Sequence, residues 1–257
     1  MRDGCTVVAH AFGADGHVVV FLHGLAGSAT EFVATAEALA PDYRVLLIDQ
    51  RGHGCSSRLP DNVSRQAFVD DAIAHIQSFA REPVTLIGQS MGGNTALLVA
   101  HARSDLVAHL VMVEAHPDGD DGGMPAHELE AYFRRWPVPF RDRASAVTAL
   151  GSSPLATAWA ADLRDDDGGY VPRFDASVLR AAIEPVHSSF AGEWRALRVP
   201  ISVIVGEHGI ASERRATLRN GQPSARVLEV SGAAHDPHLE TPEIWLSVLR
   251  DALGFDE

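Results

Sequence analysis

The sequence predicts an α/β protein with a mostly parallel central sheet and helices on both faces. Short β-branched apolar runs alternate with longer amphipathic segments along most of the chain. Most of those runs are continuously apolar rather than alternating, as in strands covered on both sides. The alternation breaks between about residues 116 and 198, which predicts a helical insert.

The strand-like runs are Thr6–Ala9, Val18–Leu22, Val45–Ile48, Val84–Ile87, Leu110–Val113, Ile201–Val205 and Arg226–Val230. Between them, Ser64–Ala80 sets Phe68, Ala72, Ile76 and Phe79 on one stripe, and Ser90–Arg103 is rich in Ala and Leu. Pro242–Leu253 carries Ile244, Trp245, Val248, Leu249 and Ala252 at helical spacing. Thr241 is its expected N-cap, Pro242 its first residue and Gly254 its stop. The insert opens on the turn-rich acidic run Pro117–Gly123. It holds nine of the seventeen aromatic residues, enough to cover one end of a sheet, although most are expected simply to pack the insert together.

The chain has 257 residues, 46% of them apolar, so a large core is within reach. A formal charge of −13 argues against nucleic acid or an anionic membrane as the main partner. Cys5 and Cys55 form no disulfide framework and lie in no redox motif. No signal-peptide-like or bilayer-length apolar run is present, so the expectation is a cytoplasmic protein. The expected partner is a small-molecule substrate, and the expected assembly is a monomer or homodimer.

Four loops follow strands and carry polar residues suited to chemistry. Gly88-Gln89-Ser90-Met91-Gly92-Gly93 lies between a strand and a helix. A tight bend there lifts a serine hydroxyl to where a base can reach it, and the helix start aims free N–H groups at the reacting oxygen. His23-Gly24-Leu25-Ala26-Gly27-Ser28 supplies a second flexible loop. A tetrahedral oxyanion needs two donors; the backbone N–H groups of Met91 and Leu25 are the candidates, with His23 shaping the loop. Asp49-Gln50-Arg51-Gly52-His53-Gly54-Cys55-Ser56 is read as scaffold. Ser231-Gly232-Ala233-Ala234-His235-Asp236-Pro237 places His235 on a loop where a base belongs, with His238 as the fallback.

In this order the motifs H-G-x-x-x-S, D-x-R-G-H-G, G-x-S-x-G-G and G-x-x-H-x-x-x-L-E-x-P resemble the α/β-hydrolase superfamily over nearly the full chain. The resemblance implies a hydrolase core at 1–115 and 199–257 and a helical cap at 116–198. It implies a serine hydrolase with Ser90 as nucleophile and His235 as base. It is specific for fold and poor for substrate. Neither a metal nor a cofactor is implied: no H-E-x-x-H spacing and no dinucleotide fingerprint occurs.

One position departs from the family. Where relatives read G-E-x-D after the penultimate strand, this chain reads Gly206-Glu207-His208-Gly209. Glu114 ends the strand after the nucleophile, 24 residues beyond Ser90, and in part of the superfamily the acid comes from this strand end. Glu114 is therefore the expected triad acid, with Glu207 the alternative and a structural ion pair to a cap arginine the plain explanation. The expected substrate is a small or medium carboxylic ester. Carbon–carbon bond cleavage of a dienoate-like diketone is the enzymatic rival, favoured if Arg134, Arg135, Arg141 or Arg143 enters the pocket. A non-catalytic ligand-binding protein is the other alternative.

Overall fold

A computed structural model describes residues 3–119 and 123–254; residues 120–122 of the acidic run lie outside the described residues. The strands are β1 (Val8–Phe12), β2 (His17–Leu22), β3 (Tyr43–Asp49), β4 (Val84–Gln89), β5 (Val107–Val113), β6 (Arg164–Asp166), β7 (Gly169–Val171), β8 (Ile201–Gly206) and β9 (Arg226–Val230). Seven of them form one sheet in the order β1-β3-β2-β4-β5-β8-β9, while β6 and β7 pair separately as a hairpin. Only β1 runs antiparallel in the large sheet.

The first strand begins later than the sequence suggests. Ser57 Oγ accepts from Thr6 N and Ser56 Oγ from Val8 N, so the expected start at Thr6 is tied to a loop. Ladder pairing starts at Val8, opposite Asp49.

The helices are α1 (Val33–Leu39), α2 (Arg65–Phe79), α3 (Met91–Ala102), α4 (Ala126–Arg134), α5 (Arg143–Ala149), α6 (Pro154–Asp162), α7 (Ala176–Ile183), α8 (Ala191–Ala196), α9 (Ser212–Gly221), α10 (Pro237–Glu240) and α11 (Pro242–Leu253). Apolar side chains of α2 and α3, such as Ile76 and Leu97, join Leu22, Leu86, Met112 and Val203 on one face of the sheet. On the other face Phe32, Leu39, Trp245 and Leu249 pack with Phe21, Ile87 and Val111. Burying side chains of this size stabilises by about 1.5–3 kcal/mol each, which fixes the sheet that carries the loops. Ser64 caps α2 through its side chain, as its position predicts. Thr241 holds the N-cap position of α11, its carbonyl accepting from Trp245 N at 2.9 Å, but it makes no side-chain cap bond: its backbone leaves the extended region (ψ 63°) after the turn of α10, and its hydroxyl is buried.

Five helices and the β6–β7 hairpin lie between β5 and β8. Phe133, Trp136, Trp159 and Phe174 contact one another with ring centroids 5.1–5.8 Å apart, and this cluster joins α4 and α6 to Phe174. Trp194 instead packs into the sheet core and donates to Leu218 O at 3.3 Å. Among the described residues no helix is long and apolar enough to cross a membrane.

Candidate active site

The bend between β4 and α3 has φ 50° and ψ −117° at Ser90, a conformation costing a non-glycine residue about 1–3 kcal/mol. Its backbone is held there by Ser90 N donating to Val113 O at 2.8 Å. The bend closes only because Gly92 lacks a side chain; a Cβ there would lie 2.2 Å from Leu22 O. Ser90 and His235 both line one cavity of about 240 Å³ beneath the cap. Leu129, Tyr132, Phe133, Leu155 and Trp159 form its cap side.

Among the described residues, the backbone N–H groups of Leu25 and Met91 have no acceptor within the protein. Leu25 lines the cavity, and Met91 follows Ser90 at the free start of α3. Two unsatisfied donors beside a serine hydroxyl can hold negative charge on a carbonyl oxygen. His23 is turned away from the cavity. Its Nε2 accepts from Gln50 N at 2.9 Å and its Nδ1 faces Gly24 O at 2.8 Å, which fixes the loop.

Glu114 ends β5 and, like Ser90, has positive φ (46°). Its side chain is 2% exposed, and its Oε2 lies 3.6 Å from His235 Nδ1. The carboxylate also accepts from Gly206 N at 2.7 Å and from Ile210 N at 3.2 and 3.3 Å. No arginine of the cap reaches it among the described residues. Gly209 explains the departure from the family pattern. A Cβ there would stand 2.1–2.4 Å from the Glu114 carboxylate, so that carboxylate fills the space a side chain at 209 would need. Glu207 points elsewhere, accepting from Ser231 Oγ and Gly232 N, both at 2.9 Å.

His235 is held by its main chain. Gln89 Nε2 donates to His235 O at 3.1 Å and to Asp236 Oδ1 at 3.2 Å. Glu240 accepts from Ala234 N and, at 3.3 Å, from Asp236 N. Gln89 and Glu240 thus hold the loop that carries His235; sequence reasoning gave neither a role, although Gln89 stands beside Ser90 and Glu240 is the glutamate of the L-E-x-P motif. His238 does not line the cavity. It is stacked on Phe32 with ring centroids 4.2 Å apart, and burial pulls its pKa down to about 4. Asp49 ties Ala29 N and Cys55 N at 2.7 and 2.8 Å, and His53 is buried, with a pKa lowered to about 3 mainly by desolvation. Among the described residues no group of three or more His, Cys, Asp or Glu side chains is arranged to hold a metal ion.

Sequence reasoning missed Glu31, whose carboxyl lines the cavity with its side chain 5% exposed. Burial pushes its pKa from 4.5 to about 7; His23 opposes this and Asp49 adds repulsion. The folded state thus binds this proton more tightly than the unfolded chain does. That contribution is full below pH 4.5 and is lost as pH rises through 7. Glu31→Gln, uncharged at every pH, is expected to gain on the wild type by ~2 kcal/mol between pH 5.5 and 8.5 in urea unfolding. A difference that does not change with pH would contradict this assignment.

The model of the alpha/beta hydrolase fold matches residues 17–242. A mouse protein, the sn-1-specific diacylglycerol lipase ABHD11, is 27% identical over 92% of this chain and 80% of its own length. Esterase YbfF of Escherichia coli is 25% identical over 92% of each chain. The crystal structure of E-2-(acetamidomethylene)succinate hydrolase superposes with a TM-score of 0.88 at 23% identity, covering 97% of this chain and 96% of the other. With its motifs in order and the matched model spanning most of its length, the chain belongs to the alpha/beta hydrolase fold family.

Proposed function

We propose that the protein is a serine hydrolase that cleaves small or medium carboxylic esters through an acyl-enzyme. The carrying observation is that Ser90 and His235 line one cavity while the buried carboxylate of Glu114 faces His235 Nδ1 at 3.6 Å. A carboxylate on Nδ1 keeps the proton there and leaves Nε2 as the base. Ser90 Oγ adds to the ester carbonyl as His235 Nε2 takes its proton. The N–H groups of Leu25 and Met91 hold the oxyanion. His235 returns the proton to the departing alcohol oxygen as the C–O bond breaks. Water then repeats the sequence on the acyl-enzyme, releasing the acid and free Ser90. The names of the mouse lipase and the bacterial esterase support ester chemistry at this site.

The dienoate reading lacks its anchor. Arg134 pairs with Glu130 at 2.7 Å, Arg141 with Asp142 at 2.8 Å, and Arg143 donates to Leu163 O at 2.7 Å. Neither they nor Arg135 line the cavity. A fluorophosphonate reagent is expected to form a one-to-one adduct that peptide mass spectrometry assigns to Ser90. An intact protein with no adduct, or with the adduct on another residue, would favour a binding protein instead.

A further inference from the structure

The cavity is chemically one-sided. Glu31 and Asp236 both line it; among the described residues His235 is the one basic side chain that does, no arginine lines it, and the chain has no lysine. Among the described residues the buried Glu31 carboxyl accepts no hydrogen bond; the ring of His238, whose Nε2 lies 3.8 Å away, is kept neutral by burial. An unpaired buried carboxylate is costly, and a donor brought by a ligand would remove that cost. Asp236, 9% exposed, accepts one side-chain hydrogen bond among the described residues, from Gln89 to Oδ1, which leaves its other oxygen able to accept. Tyr132, Phe133 and Trp159 complete the wall. Carboxylates beside aromatic rings form the surroundings that stabilise an ammonium group.

We propose that this cavity selects by charge: it takes an ester whose acyl chain ends in a protonated amine, seated between Glu31 and Asp236 beside the aromatic wall, and it rejects a chain ending in a carboxylate. The proposal rests on the hydrolase reading for the reaction but not for the binding preference. Burial raises the pKa of both carboxyl groups, that of Glu31 to about 7. An ammonium guest stabilises their ionised forms, whereas an anionic guest adds a third like charge. A neutral chain leaves the Glu31 carboxyl unpaired. The net charge of −13 also favours the approach of cations.

Three p-nitrophenyl esters of matched length decide it: 6-aminohexanoate, heptanoate and monopimelate, assayed at pH 7.5. A hydrogen bond to a charged group is worth ~1.5–3 kcal/mol, so kcat/KM for the amine ester should exceed that for heptanoate by ~10-fold and that for monopimelate by ~100-fold. In Glu31→Gln the ratio of amine to heptanoate should fall by ~10-fold. Monopimelate cleaved as fast as the amine ester, or an unchanged ratio in the variant, would overturn the proposal. Calorimetry with hexylammonium and hexanoate reads the same preference without turnover. Hexylammonium should bind the wild type, more weakly bind Glu31→Gln, and outcompete hexanoate; equal binding of the two ions would reject charge selection. If no ester is cleaved and no fluorophosphonate adduct forms, the hydrolase reading fails while calorimetry still decides the charge selection.

Discussion

Ser90→Ala is expected to lower kcat for any ester substrate by ~10⁶-fold, the scale on which serine hydrolases lose activity with the nucleophile. A hydroxyl is the only group removed, so on the proposed mechanism the Leu25 and Met91 N–H groups would still bind the carbonyl and leave a small residual rate over water. Alanine tolerates φ 50° no better than serine, so Ser90→Ala should unfold near the wild-type denaturant midpoint. Ser90→Gly offers the sharper control. Glycine relaxes the bend, so this variant should be equally inactive yet more stable by ~1 kcal/mol. Residual activity within 100-fold of wild type in either variant would mean that another group attacks the carbonyl.

Glu114→Gln is expected to cost ~10⁴-fold in kcat with little change in KM, as when a triad carboxylate becomes an amide. Gly206 N and Ile210 N both donate to the side chain, so they hold the glutamine carbonyl oxygen. The amide NH₂ then faces His235 Nδ1, forces the proton onto Nε2 and leaves no base for Ser90. Glu207→Gln should change kcat by less than about twofold, because its carboxylate holds only the turn at Ser231 and Gly232. The reverse result would move the acid to Glu207. A double variant tests the geometry directly. Glu114→Ala empties the space that a Cβ at 209 would enter at 2.1–2.4 Å, and Gly209→Asp then carries a carboxylate into it. That pair should recover a large part of what Glu114→Gln loses, whereas Gly209→Asp alone should be destabilised by ~1–3 kcal/mol through crowding.

Much of this was legible in the sequence because local rules and tertiary packing agree. The apolar runs of β2, β4, β5 and β8 admit one reading, and the glycine-flanked serine between strand and helix admits few others. The displaced start of β1 was not legible, because the serines that occupy Thr6 N and Val8 N are some fifty residues away. Thr241 stands at the expected N-cap but its hydroxyl makes no cap bond, since the preceding turn sets its backbone. Glu31 gave no signal at all. It sits in the single-turn helix Ala29–Phe32, and its meaning comes from burial against a cavity whose other wall begins about a hundred residues later. The packing of Glu114 against Gly209 was half readable: the departure from the family pattern at 209 was visible, but the reason for glycine required coordinates.

Ser90 N bonds to β5 at Val113, and Glu114 N bonds to β8 at Ile204. Two of the three groups of the proposed triad are therefore mounted on one stiff plate, and their relative position drifts only as neighbouring strands drift. The imidazole alone rides on a lever, clamped by Gln89 and Glu240. Warming should misalign that lever first, so the enzyme would fall silent before the plate itself gives way.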